Sequence, residues 1–253
     1  MLSFADCGKP IAKIDDDVLF LRTDNDNCSD SEYDSEDDIG DEYETDDEVE
    51  PLLDMETRQV AYIAGPAGSG KSTMAVKMIK RFLKVHPDKQ FFLFSRSSYK
   101  DDPAFRGMRV NQVMLDESLI KEPIDITKEL PGGAIILFDD VNTILDDKIK
   151  KAVEKLMADI MEVGRKFGVW IVITSHLVIP SEKKFARTVM NEAQTLTVFP
   201  KSGSAQQISY ALKQYFGLTK KQIDTIIQLP SRWVQISKSY PMYVVYEHGV
   251  YIL

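Results

Sequence analysis

The run Gly65-Pro66-Ala67-Gly68-Ser69-Gly70-Lys71-Ser72 constrains this chain more than any other stretch. It fits GxxxxGK[ST] in full, and its surroundings complete the pattern. The apolar segment Val60–Ala64 precedes it. Ala75, Met78, Ile79, Phe82 and Leu83 follow at helical spacing. A strand leading through a glycine-rich turn into a helix forms an anion cradle. Glycines let the backbone wrap phosphate oxygens, and the helix start points its free N–H groups at the same place. Lys71 supplies a point charge for β- and γ-phosphates, and the Ser72 hydroxyl suits Mg²⁺. Gly65, Pro66, Ala67, Gly68, Ser69, Gly70, Lys71, Ser72 and Thr73 are therefore the candidate nucleotide-binding residues, with ATP and Mg²⁺ as the expected ligands.

A second segment supplies carboxylates. Ile135-Ile136-Leu137-Phe138 is wholly apolar and ends in Asp139-Asp140. In open α/β folds, ligands bind at the carboxyl ends of the strands. Asp139 is expected to hold Mg²⁺ through water, beside Ser72, and Asp140 to orient or deprotonate the attacking water. Many ATPases carry Glu at that second place, so the shorter Asp140 must sit closer to the water or act through another one. Thr174-Ser175-His176 ends another apolar run, Val169–Thr174, and makes His176 a candidate γ-phosphate sensor.

Apolar runs alternate with helical periods from Gln59 onward. The pattern implies an α/β P-loop NTPase fold, a mainly parallel sheet with helices on both faces. A long helical stripe runs from Ile149 to Met161, with Gly164 as its stop. Helices are also expected near Ala205–Phe216 and Thr219–Gln228. Short strands near Trp233–Ser237, Tyr243–Tyr246 and Val250–Leu253 form a C-terminal β extension. Ile11–Ile14 and Val18–Leu21 read as a small N-terminal hairpin. The expected division is 1–23 for the hairpin segment, 24–57 for an acidic disordered linker and 58–253 for the ATPase domain.

Charge is unevenly distributed. The chain of 253 residues carries a formal −9. Fifteen acidic and no basic side chains lie in Asp24–Glu50. With the −1 of residues 1–23 also set aside, residues 51–253 hold a formal +7. Like charges and few apolar groups make the acidic strip an expected disordered segment, in which Ser29, Ser31 and Ser35 are phosphorylation candidates. The basic remainder offers Lys183, Lys184 and Arg187 in a loop, and Lys220 and Lys221 between late helices, for a phosphate backbone. Arg165 precedes the Val169 strand and falls at the sheet's amino edge. It reaches phosphate only in a neighbouring subunit, as an arginine finger in trans, or else complements a helix C-terminus. Arg96 and Arg187 are rival fingers. Cys7 and Cys28 show no metal-ligand spacing and argue against a disulfide scaffold. No basic, apolar leader or spanning segment is evident, so an intracellular setting is expected.

Taken together, Gly65–Thr73, Phe138-Asp139-Asp140, Gly164-Arg165-Lys166 and the strand ending at Ser175-His176 resemble the poxvirus-type genome-packaging ATPases. Those belong to the FtsK–HerA superfamily of P-loop enzymes. The resemblance covers about residues 58–253. It implies a homo-oligomeric ring that hydrolyses ATP and drives double-stranded DNA into a capsid. Capsid or portal proteins would be partners, the trans role would fall to Arg165, and the setting would be the host cytoplasm, a viral factory or the virion. The chain departs from the family pattern at His176, where relatives commonly carry Gln, and in its acidic strip. Alternatives from other classes are an assembly or export ATPase with protein cargo, a nucleotide kinase and a non-catalytic nucleotide-binding scaffold.

Overall fold

The computed structural model describes residues 1–23, 26 and 38–253. Among the described residues, short strands open the chain: β1 (Leu2–Ser3), β2 (Lys9–Ile14), β3 (Asp17–Leu21), β4 (Asp38–Gly40), β5 (Glu42–Glu44) and β6 (Val49–Pro51). Strands β2 and β3 are the expected hairpin. They pair antiparallel, bury Ile11, Leu19 and Leu21, and turn through Asp15 at φ 51°, a left-handed conformation that Asp tolerates.

The acidic strip differs from its expectation. Residues 38–51 form β4, β5 and β6 where a disordered linker was expected; 24, 25 and 27–37, with Ser29, Ser31 and Ser35, lie outside the described residues. Strand alternation reconciles charge with order. Glu42 and Glu44 face solvent, while Tyr43 meets the Phe4 ring edge-on at 5.3 Å and Val49 is fully buried. A composition argument counts charges and does not see that alternate positions can face inward. The cysteine reading also changes: Cys7 is disulfide-bonded, and Cys28 lies outside the described residues.

The chain continues through β7 (Val60–Ala64), α1 (Lys71–Val85), β8 (Phe91–Ser95), β9 (Asn111–Met114), α2 (Ser118–Lys121), α3 (Ile126–Glu129), β10 (Ile135–Phe138), α4 (Asp147–Val163), β11 (Trp170–Ser175) and α5 (Lys183–Glu192). It ends with β12 (Thr195–Val198), α6 (Ala205–Phe216), α7 (Lys220–Gln228), β13 (Val234–Ser237), β14 (Tyr243–Tyr246) and β15 (Gly249–Ile252). Two compact units result. One comprises Met55–Gln194; the other joins Met1–Asp54 to Thr195–Leu253. The span 58–253, expected as a single domain, is thus divided after Gln194.

In the unit Met55–Gln194, five parallel strands lie in the order β7-β11-β10-β8-β9. Their near-continuous apolar sequences suit a sheet covered on both faces. Alternation along β11 shows which helices cover which face. Trp170 meets Phe82 of α1 at 4.9 Å, whereas Ile173 lines a cleft with Val153 of α4 and Val189 of α5. Helix α4 begins with the Asp146 carboxylate accepting from Lys148 and Ile149 N–H, a strong N-cap. Gly164 ends the α-helical hydrogen bonding but stays right-handed. A 3₁₀ turn carries on to Phe167, and Gly168 at φ 62° makes the reversal. Lys183, Lys184 and Arg187, expected in a loop, stand on α5, which Glu182 caps through Phe185 N–H.

In the other unit, β5-β15-β14-β13-β12 run antiparallel, and the N-terminal strands form a second antiparallel sheet in the order β4-β1-β3-β2-β6. Lys220 and Lys221 start α7 instead of lying between helices, because Thr219 and Gln222 form a capping box that brackets them.

Arg58 braces the Met55–Gln194 unit. Its guanidinium donates to Met161 O at 2.8 Å and Val169 O at 3.1 Å, and pairs with Glu192 at 3.6 Å. Burial pushes its pKa down. Arg58→Ala strands two carbonyls, so it is expected to lower unfolding free energy by about 1–3 kcal/mol, measured by urea titration.

Candidate functional site

The parallel register brings the phosphate loop and both aspartates to one edge. Gly65 N–H donates to Ser175 O at 3.0 Å, and Asp139 N–H to Phe94 O at 2.9 Å. The loop therefore follows directly from β7, beside the ends of β11 and β10. Gly68 and Gly70 take φ 75° and 101°, and a side chain at either position would enter open space. Only glycine adopts this path without strain. The Ser69 Oγ is screened from solvent yet makes no hydrogen bond. A concave turn with an unsatisfied hydroxyl, opening a fifteen-residue helix, fits an anion such as a phosphate chain.

Lys71 is buried. Its Nζ donates to Pro66 O at 3.2 Å and lies 3.8 Å from Asp140 Oδ1 and 3.5 Å from His176 Nδ1. Ser72 Oγ donates to Asp139 Oδ1 at 3.4 Å. These two oxygen donors suit a small hard cation, which keeps waters and phosphate oxygens as its other ligands. Among the described residues, no cluster of three His, Cys, Asp or Glu forms an all-protein metal cage.

Two adjacent carboxylates should point to opposite faces of a strand. Asp139 follows directly after β10, and its carboxylate faces Ser72 of α1. Asp140 turns left-handed, at φ 46° and ψ 42°, and its carboxylate comes to Lys71 and His176. Such a conformation costs about 1 kcal/mol or more outside glycine. Thr174 secures both residues: its hydroxyl donates to Asp139 Oδ1 at 2.7 Å and accepts from Asp140 N–H at 2.9 Å. His176 meets Asp140 Oδ2 through Nε2 at 3.1 Å, and its backbone N–H donates to Asn142 Oδ1 at 3.2 Å.

Sequence reasoning missed the bracing roles of Thr174 and Asn142. A hydroxyl at the end of the apolar Val169–Thr174 run was the available signal for the first; nothing marked the second. Arg165 is exposed and lies before β11, at the sheet edge opposite Lys71, as its place in the sequence implies. Of the rival fingers, Arg96 donates to Thr143 O at 2.6 Å, beside Asp140 in its own chain, and Arg187 lies exposed on α5. The cleft on the α4–α5 face, lined by Val153, Ile173 and Val189, opens on the other side of the sheet from Lys71.

Burial pushes the Asp139 pKa up; the Thr174 hydroxyl opposes this and the Asp140 charge adds to it. A carboxyl raised in the fold stabilises it most below the unfolded value, near 4, and that contribution is lost as pH rises through the folded value. Asp139→Asn is therefore expected to resist urea better than the parent at pH 7 without divalent cations. The advantage should fade below about pH 4, as read from urea midpoints across pH.

No protein-family model matches the chain. The fold is shared with B204, the DNA-packaging ATPase of Sulfolobus Turreted Icosahedral Virus: TM-score 0.51 at 11% identity, over 76% of this chain and 97% of that one. The cytoplasmic domain of the Thermomonospora curvata Type VII secretion ATPase EccC gives TM-score 0.51 at 16% identity, over 78% of this chain and 27% of that one. These likenesses agree with the α/β P-loop architecture read from the strands and the glycine-rich turn. "Uncharacterized protein V3" of Sputnik virophage is 41% identical over 192 residues, 76% of each chain. At that identity and coverage, the chain belongs to the same family as the virophage V3 protein.

Proposed function

We propose that this protein is an Mg²⁺-dependent ATPase that moves double-stranded viral DNA into a capsid. One observation carries the hydrolytic part: Lys71, Ser72, Asp139 and Asp140 converge within hydrogen-bonding and ion-pairing distances on a glycine turn at a helix start. The loop N–H groups and Lys71 bind the triphosphate. Ser72 and Asp139 would hold the magnesium, which would supply positive charge against the phosphate charge. Asp140 Oδ1 makes no hydrogen bond and takes a proton from the attacking water. The water oxygen then bonds to the γ-phosphorus, and the bridging P–O bond breaks with its electron pair leaving on ADP.

The packaging part rests on the resemblance of the motifs to the poxvirus-type enzymes, the shared fold with B204 and the viral relative. Lys183, Lys184 and Arg187, exposed on α5, and Lys220 and Lys221, exposed on α7, are suited to a phosphate backbone. A ring of identical subunits would give Arg165 a phosphate to reach. Capsid or portal contacts in an infected cell or virion belong to the same reading. Protein export is the second reading, favoured by the equal TM-score to a secretion ATPase. Among the described residues no helix is long and apolar enough to cross a membrane.

Lys71→Ala is expected to abolish ATP turnover in a phosphate-release assay. Duplex DNA should stimulate the parent at low salt and lose that effect as salt rises; a flat response from an assembled oligomer would favour protein cargo. Arg165→Ala and Asp140→Asn should each lose about 10³-fold or more in rate. Mixed together they should regain activity, because some interfaces then pair an intact site with an intact finger. No recovery at any mixing ratio would remove the trans role.

A further inference from the structure

The His176 imidazole is aimed at Asp140, and the contacts around that pair are ordered in a telling way. Asp140 is gripped at three points. Its N–H donates to Thr174 Oγ1 at 2.9 Å. Its carbonyl accepts from Thr143, through N–H at 3.1 Å and Oγ1 at 2.9 Å. Its carboxylate Oδ2 lies 3.1 Å from His176 Nε2. The remaining oxygen, Oδ1, is screened from solvent, makes no hydrogen bond and has the Lys71 ammonium 3.8 Å away.

The tautomer follows from the neighbours. An ammonium has donors only, so the Nδ1 that faces Lys71 at 3.5 Å is the acceptor. The ring proton then sits on Nε2 and is donated to Asp140 Oδ2, an assignment made from the bonding partners. The main chain that carries the ring is held in turn, because the His176 backbone N–H donates to Asn142 Oδ1, two residues beyond Asp140. The left-handed turn of Asp140 is what makes this meeting possible.

We infer that His176 is a positioning residue for Asp140: its Nε2–H pins Oδ2, which fixes the direction of the free Oδ1. This inference rests on the hydrolytic reading and replaces the direct γ-phosphate contact expected of His176 from its place at the strand end. A residue that works through Asp140 should affect the rate only while Asp140 can act. A residue that touches the terminal phosphate should also set the preference for ATP over ADP.

The test uses the full chain and four proteins beside the parent: His176→Ala, His176→Gln, Asp140→Asn, and the Asp140→Asn/His176→Ala pair. Steady-state hydrolysis gives kcat and KM, and displacement of a fluorescent nucleotide gives ATP and ADP affinities. His176→Ala should lower kcat by about 10–100-fold with both affinities within about threefold of the parent. His176→Gln, which keeps an N–H donor at similar reach, should restore most of that loss. In the Asp140→Asn background, His176→Ala should cause no further fall in the residual rate, because residues that act as one unit are not additive. Multiplying losses in the pair, a His176→Ala protein with unchanged kcat, or a selective loss of ATP over ADP affinity would each overturn the positioning role. A parent that binds ATP without hydrolysing it would overturn the hydrolytic reading as well, so the two failures have different signatures.

Discussion

A buried ammonium beside the Asp140 carboxylate is the constraint on which the rest of the Met55–Gln194 unit depends. Lys71 is nearly inaccessible, and a buried charge needs partners. Its partners come from three separate stretches: the Pro66 carbonyl from the glycine loop, Asp140 from the end of β10, and His176 from the end of β11. Only a parallel sheet with β7, β11 and β10 side by side brings these ends together. The apolar strands serve that arrangement, and the helices on both faces keep water from their backbones.

The site combines unfavourable groups with compensating ones. Burial and the neighbouring charge oppose ionisation of Asp139, and the Thr174 hydroxyl offsets part of this. Asp140 is bent out of strand geometry, and Thr143, Thr174 and His176 secure the bend. A strained backbone and a raised carboxyl meet at the carboxyl edge, where chemistry is expected, while the amino edge is stabilised by Arg58 on backbone carbonyls. Perturbed groups in a structural framework are a mark of functional sites.

The unit that joins the chain's two ends shows a different economy. Residues 38–51 of its acidic stretch are drawn into order by edge pairing, with β5 on β15 and β6 on β2. Tyr246 donates to Glu44 at 2.8 Å, so even this charged strand has a specific bond. Residues far apart in sequence supply these partners, and local composition therefore misreads the segment.

Local patterns alone determined a good deal of this protein. The glycine-rich turn, the flanking strand and amphipathic helix, the apolar run ending in Asp139-Asp140, the hairpin at the start and the strands near the end all rely on spacings of a few residues. These are short-range consequences of backbone geometry and hydrophobic period. Tertiary structure decided the rest: the left-handed turn at Asp140, the two hydrogen bonds by which Thr174 holds both aspartates, the imidazole of His176 on Asp140 Oδ2, and the order in residues 38–51. Each needs partners tens to hundreds of residues away. A linear pattern carries no record of such meetings, because they depend on which strands lie next to each other and on the register that joins them.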